Sequence, residues 1–333
     1  MIISKLTNSK IAYYCLQVEA AYINSENNVH ISGDATLLPK SAIDRVCDDI
    51  MNDTQNSTFV LDFDGIETIQ VNAIEERISD LCKEHKKAVV LANIKESLVK
   101  QVKSFGYIVD AKGKIKSKKV PNLYSYYSFC NMDYKLLSDC ETVFKAAFTE
   151  KLKEYKHDKK IKHYSSSVYL SAYINIKQFI IQDKPLVLYS IYRLARKMRI
   201  KKEWKNSFES KDKPILICQS LNGSYIASVL SSLLGLDLFV IDGIGPVNKL
   251  YRSLGATIKT GKKYIIVSDM VCLGTEVKIT KNIIEYLGGV YFGNVSIVRI
   301  ESIKTYDNVE GVFCIDKSNN DKFQYQIITP LEK

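Results

Sequence analysis

Residues 264–276 read Tyr-Ile-Ile-Val-Ser-Asp-Met-Val-Cys-Leu-Gly-Thr-Glu. The apolar run from Tyr264 to Val267 suits a strand buried on both faces, and such strands belong to parallel sheets covered by helices. The run closes on a carboxylate, Asp269, and after Gly274-Thr275 the spacing turns helical. A strand that stops at an acid and passes through Gly-Thr into a helix brings two kinds of chemistry to one place. The acid can meet ribose hydroxyls or a hydrated metal. The loop can wrap a phosphate with backbone N–H groups and the positive end of the helix. Any α/β protein can carry an apolar strand ending in Asp, so the surrounding segments decide what this one is for.

Those segments repeat the pattern. Pro214–Gln219 is an apolar strand, Ser220-Leu221-Asn222-Gly223 a turn, and Ser224–Leu234 a helix with small residues on one face. Strand, Gly turn and helix again suit a phosphate, although an ordinary βα turn has the same form. Asp237–Ile241 is the next strand. Gly243 and Gly245 suggest a dinucleotide fingerprint, but Pro246 and Val247 follow where a helix would have to open, so that reading is rejected. The stretch 247–263 carries Lys249, Arg252, Lys259, Lys262 and Lys263, and a helix over 277–287 and a strand over 294–300 come after the motif. Upstream, a helix is expected around Val143–Leu152, a small-residue loop running into a strand over 165–177, and a helix that Pro185 opens and that runs to about Met198. The order from about 160 to 318 predicts a doubly wound parallel sheet with ligands at the strand C-ends.

The N-terminal third forms its own α/β unit. Ile11–Ala20 and Asn28–Ala35 are expected strands. Ile43, Val46, Cys47, Ile50 and Met51 make the apolar stripe of a helix. Thr58–Phe63 and Lys87–Ala92 are strands, and 73–81 and 94–105 helices. Residues 111–137 are expected as a connector: Lys112–Lys119 is polar and basic, Pro121 blocks a helix, and the patch Tyr124–Tyr127 would pack between domains.

At 333 residues the chain has room for two domains with real cores. No apolar stretch approaches a membrane span and no secretory leader is evident, so a cytoplasmic location is expected. Eight cysteines without a C-x-x-C pair, several inside apolar runs, are expected as reduced core thiols rather than a zinc site or disulfide framework. The net charge of +10 suits phosphate-rich ligands. Its clusters at 112–119, 151–162 and 196–205 are each read first as solvated faces and linkers. RNA binding by those clusters is a weaker alternative.

The strand, acid and Gly-Thr loop of 264–276 resemble the phosphoribosyl pyrophosphate (PRPP) motif of type I phosphoribosyltransferases, the orotate version above all, with Ser268 in place of the first of two acids. The resemblance spans roughly half the chain. It implies a domain over 138–333 that takes PRPP or a nucleotide, transfers 5-phosphoribosyl to a nitrogenous base with Mg²⁺, and releases pyrophosphate. It further implies that Asp269 holds ribose hydroxyls, that Ser268, Cys272, Leu273, Gly274, Thr275 and Glu276 form the 5′-phosphate loop, and that Ser220, Leu221, Asn222 and Gly223 bind pyrophosphate. Lys249 and Arg252 fall in the family's mobile loop, where a cation meets pyrophosphate. The stretch 165–177 is similar to the hood over the base, without the cation that usually reads the base there. A homodimer is implied in the same way. The segment Val60-Leu61-Asp62-Phe63-Asp64-Gly65-Ile66-Glu67-Thr68-Ile69 resembles STAS-type domains and implies a STAS-like unit over 1–110. Val71 and Asn72 stand where phospho-switch members carry hydroxyls, so the unit is expected to dock a protein partner or an identical chain. The alternative function is a degenerate, non-catalytic nucleotide sensor that signals through that unit.

Overall fold

The computed structural model describes residues 1–23, 34–95, 97–98, 107–109, 114–117, 123–126, 140–157, 161–162, 169–170, 172–241, 258–272, 274–300, 308–316, 323 and 327–328. The chain divides into two compact units, 1–150 and 151–333.

The first unit is built on a seven-stranded sheet. A hairpin of β1 (Leu6–Asn8) and β2 (Ile11–Cys15) leads into helix α1 (Leu16–Ile23), α2 (Lys40–Asn52), β3 (Thr58–Asp62), α3 (Val71–Lys83) and β4 (Ala88–Ala92). Strands β5 (Tyr107–Val109), β6 (Lys114–Ser117) and β7 (Leu123–Tyr126) complete it in the order β1-β2-β3-β4-β7-β6-β5. β2, β3, β4 and β7 run parallel, with Cys15, Asp62 and Ala92 level at their C-terminal ends. A two-residue parallel pair, Leu37–Leu38 with Thr68–Ile69, lies outside this sheet.

Three sequence expectations change here. The strand expected over 11–20 stops at Cys15, where α1 begins. A strand would have left the Glu19 carboxylate alternating into an apolar layer. The helix instead turns it, fully buried, onto the Ile3 and Ser4 N–H groups at 2.9 and 2.7 Å and the Ser4 hydroxyl at 2.7 Å. The stretch expected as a connector, 111–137, holds β6 and β7, which pair antiparallel with each other, while β7 adds parallel to β4. Backbone pairing decides that position, and the basic composition of 112–119 gave no sign of it. In α2, Ala42, Ile43, Val46, Cys47 and Ile50 are buried, whereas Met51 is 38% exposed because it falls at the edge of the stripe. Of the expected 28–35 strand and 94–105 helix, most residues lie outside those described.

The α2–β3 turn is closed by charge. The Asp53 carboxylate accepts from the N–H groups of Gln55 and Asn56, from the Asn56 amide, and from Lys5, at 2.7–3.0 Å. Burial opposes its charged form, but these donors outweigh burial and hold the carboxyl well below the usual range. A depressed carboxyl contributes stability above its unfolded pKa of about 4, and that contribution is lost as the pH falls toward the folded value. Asp53→Ala should therefore lower the urea midpoint at pH 7. The gap from the wild type should shrink steadily below about pH 4, and a gap independent of pH would remove this account.

The second unit carries α4 (Cys140–Glu154, which crosses the boundary), α5 (Ile176–Gln182), α6 (Lys184–Ile200) and α7 (Lys202–Glu209). Then come β8 (Ile215–Cys218), α8 (Leu221–Leu234), β9 (Leu238–Val240), β10 (Lys263–Val271), α9 (Thr275–Tyr286), β11 (Val290–Ile300) and β12 (Val309–Ile315). The five strands are parallel in the order β9-β8-β10-β11-β12. Tyr264 and Ile266 point into a core with Ile217, Val277 and Ile284 under α9. α8 lies on the other face of β10 and packs against α6. The sheet is covered on both sides, as the continuous apolar strands require.

The stretch 165–177 does not continue as a strand. Asn175 caps α5 by accepting from the Gln178 N–H at 3.0 Å, and the described strand pieces there, 169–170 and 173–174, are short. Helix α7 places Trp204 inside the unit, with its indole N–H on the Phe292 carbonyl at 3.0 Å. On the outer edge of the sheet the carbonyls of Val309 and Gly311 accept from Lys201 and Lys197 at 3.3 and 2.9 Å. Those lysines cover backbone acceptors that would otherwise invite another strand.

Candidate functional site

In strand order β9-β8-β10-β11-β12 the chain leaves β8 toward one edge of the sheet and leaves β10 toward the other. The C-terminal ends of β8 and β10 therefore flank the point where the direction of winding reverses, and in open parallel sheets that crevice is where ligands bind. The two turns singled out in the sequence lie on its two sides.

The β8 turn is shorter than expected. Ser220 is the N-cap of α8, so Leu221, Asn222 and Gly223 already form the first helical turn. The Ser220 hydroxyl accepts from the Gly223 N–H at 2.9 Å. The N–H groups of Leu221 and Asn222 open the helix, where no intrahelical acceptor exists for them. Gly223 is needed for closeness rather than for an unusual backbone angle. A Cβ there would stand 2.9 Å from the Ser220 Oγ and 3.1 Å from the Val267 carbonyl oxygen. The helix start is thereby pressed against β10.

β10 runs on past the acid to Val271, because Met270 and Val271 still pair with Val298 and Arg299. Asp269 is thus a strand residue, two positions before the end. Alternation sends it to the α8 face, half-buried, and sends Ser268 to the opposite face, where it is 5% exposed. The Asn222 amide donates to the Asp269 Oδ2 at 2.9 Å, so one bond joins the two sides of the crevice.

Gly274 takes the left-handed conformation, φ 69° and ψ 19°, as N-cap of α9, and its carbonyl accepts the first helical bond, from the Lys278 N–H at 2.8 Å. A glycine cap supplies no side-chain acceptor, so Thr275 and Glu276 begin the helix with backbone donors and the positive end of its dipole. The Glu276 side chain is exposed, while its carbonyl accepts from the Gln219 amide at 3.4 Å and the Thr280 hydroxyl at 2.8 Å. Gln219, unremarked in the sequence, ties the end of β8 to the first turn of α9. Its position next to Ser220 was the available signal.

Tyr173 also belongs to this neighbourhood. Burial, then the negative charge of Asp269, pushes its phenol above the ordinary value, so it stays neutral beside the acid. It lies in the stretch compared with a hood, and its electrostatic link to Asp269 is visible only in the fold. Cys272 is half-buried in the loop, and Cys218 is buried at the end of β8, where burial pushes its thiol up to about 11. Lys249, Arg252 and Leu273 lie outside the described residues. Gathered here are therefore Ser220–Gly223, Asp269, Cys272 and Gly274–Glu276, joined by Gln219 and Tyr173.

The charge of the chain is unevenly divided. Residues 151–333 hold 29 Lys and Arg against 17 Asp and Glu, a net of +12, and residues 1–150 hold 18 against 20, a net of −2. The unit with the crevice carries all of the positive excess. Among the described residues no three His, Cys, Asp or Glu side chains come together as a metal cluster. A magnesium ion needs only one or two protein carboxylates when phosphates and water fill its other positions, and Asp269 supplies one, so the donor set fits an ion brought with a phosphate ligand. No helix among the described residues is long and apolar enough to cross a membrane.

No protein-family model and no curated protein matches the chain. Among solved structures it is similar to an orotate phosphoribosyltransferase from Aeropyrum pernix, with 13% identity and a TM-score of 0.40 over 53% of this chain and 98% of that one. It is also similar to an adenine phosphoribosyltransferase from Thermoanaerobacter pseudethanolicus, with 14% identity and a TM-score of 0.36 over 50% and 98%. A third neighbour is the Leishmania donovani UMP synthase, with 11% identity and a TM-score of 0.36 over 86% and 78%. The STAS-like reading of the first unit has no counterpart among these three. The chain is a mixed α/β protein with parallel sheets, and its neighbours among solved structures include phosphoribosyltransferases.

Proposed function

We propose that the second unit binds PRPP and transfers its 5-phosphoribosyl group to a nitrogenous base, releasing pyrophosphate. The observation that carries this reading is the Asn222–Asp269 bond at the reversal point. It joins a carboxylate to the start of α8, and the Gln219 bond to the Glu276 carbonyl adds the glycine-capped start of α9 to the same crevice. A sugar that bears a phosphate at one end and a diphosphate at the other matches that set. The backbone N–H groups of Thr275 and Glu276 and the Thr275 hydroxyl take the 5′-phosphate. Those of Leu221 and Asn222 take the diphosphate. Asp269 accepts from the ribose hydroxyls, and its charge favours the positive character that develops on the ribose ring as the C–O bond opens. No covalent nucleophile is required, because positioning and fixed charge are the means of catalysis. Magnesium bound to the diphosphate would neutralise the leaving group, and Asp269 would supply it a protein carboxylate. Lys249 and Arg252 are proposed to cover the diphosphate from the segment after β9, and Tyr173 to border the sugar side of the crevice.

A second reading is favoured by Ser268. It is buried on the far face of β10 and puts no second charge into the crevice. A site with one acid can hold the ligand yet stabilise the transition state poorly, which would make the chain a nucleotide sensor. The first unit, with its edge hairpin and parallel strands, would then pass the signal to a protein partner or a second copy as a STAS-like module. Adding PRPP, Mg²⁺ and a panel of bases separates the readings. Pyrophosphate release with one base supports the transferase, and binding of PRPP without release supports the sensor. Failure to bind PRPP or any nucleotide would remove both.

A further inference from the structure

We propose that the Asn222 side chain is a positioning residue that moves between Asp269 and the diphosphate, so that the two ends of a phosphoribosyl donor bind cooperatively. The inference rests on the site reading given above. In the present structure the Asn222 amide donates to the Oδ2 of Asp269, the carboxylate assigned to the ribose hydroxyls. Asn222 is also the second residue of α8, next to the N–H groups assigned to the diphosphate. One amide therefore stands between the two subsites and can donate to either.

The backbone around it has little room to adjust. Ser220 caps Gly223, the Ser224 N–H returns to the Ser220 carbonyl at 2.8 Å, and Gly223 lies so near the Ser220 Oγ and the Val267 carbonyl that an added methyl group would force a shift. Rearrangement is confined to rotation of the Asn222 side chain. A diphosphate at the helix start offers the amide a second charge-assisted acceptor, beside the backbone N–H groups of the same turn, and turning to it gives up the bond to Asp269. Asp269 is then released for the ribose. By linkage, ribose binding favours the diphosphate to the same extent.

Titration calorimetry with ribose 5-phosphate and with magnesium pyrophosphate tests this. In the wild type, saturating pyrophosphate should tighten ribose 5-phosphate at least about fivefold, with the same factor in the reverse order. In Asn222→Ala, and in Asn222→Ser, whose side chain is too short to reach Asp269, both ligands should still bind, and the factor should fall to about one. The same factor in the variants, or none in the wild type although both ligands bind, would overturn the proposal. If neither ligand binds the wild type, the site reading itself is wrong and the proposal goes with it.

Discussion

Asp269→Ala should weaken PRPP binding by at least about 100-fold, or about 2.7 kcal/mol, and should remove any turnover. The carboxylate is the negative group between the two turns, and ribose hydroxyls bound to it are charge-assisted donors that alanine cannot replace. The fold should survive. Asp269 is half-buried, and the bond it would lose is the one from Asn222, an interaction with a charged group that contributes about 1.5–3 kcal/mol. Pyrophosphate alone should bind the variant as well as the wild type or better, because an anion no longer faces a carboxylate. Three measurements check this: PRPP affinity, pyrophosphate affinity and the urea midpoint. Unchanged PRPP affinity would strike out Asp269, and equal loss for both ligands would mean that the crevice had collapsed. Asp269→Asn adds a control, since it keeps one acceptor for hydroxyls at nearly the same size while losing the charge and exchanging the other oxygen for an NH2 donor.

What could be foreseen of this site followed the physics of its parts. The apolar runs 214–218 and 264–267 had to be strands of a covered parallel sheet, because both of their faces are greasy. Gly274 had to end a loop, since the left-handed cap it adopts is inexpensive only for glycine. Contacts between segments distant in sequence were not legible. Asn222 meets Asp269 across 47 residues, Gln219 meets α9 across 57, and neither pairing leaves a local pattern. Where local pattern misled, tertiary demands explain it. The apolar residues of 11–20 satisfy a strand and a helix equally well, and the buried Glu19 chooses the helix by finding donors in Ile3 and Ser4. The strands at 114–117 and 123–126 were hidden because basic and polar residues tolerate a sheet position when backbone pairing supplies the order.

Among the described glycines of the second unit, Gly293→Ala should be the most damaging change to alanine, at about 3–5 kcal/mol. Gly293 has φ of 148°, a region other residues rarely enter, which alone costs about 1–3 kcal/mol. A Cβ there would sit 2.3 Å from the Asn308 carbonyl oxygen and 2.6 Å from the Trp204 ring, and overpacking of this kind adds about 1–3 kcal/mol more. Neither neighbour can yield. The Asn308 carbonyl is held by the Asn294 N–H at 3.0 Å, and Trp204 is fully buried with its N–H on Phe292. The damage would extend toward the site. Pairing of β10 with β11 skips a residue here, Tyr264 to Tyr291 but Ile265 to Gly293, and this irregularity sets the register that aligns Ser268 with Ser296. Losing it would send every later side chain of β11 to the wrong face. Trp204 is the chain's single tryptophan, so its emission reports on this spot alone. Gly293→Ala should shift that emission to the red as well as lower the urea midpoint. Combining it with Trp204→Phe separates the two clashes: the smaller ring relieves one contact, while the carbonyl contact and the backbone strain persist. Relative to Trp204→Phe alone, Gly293→Ala should therefore still cost about half or more of its original penalty. A negligible cost in that background would assign the whole effect to the indole and leave Asn308 with no part in it.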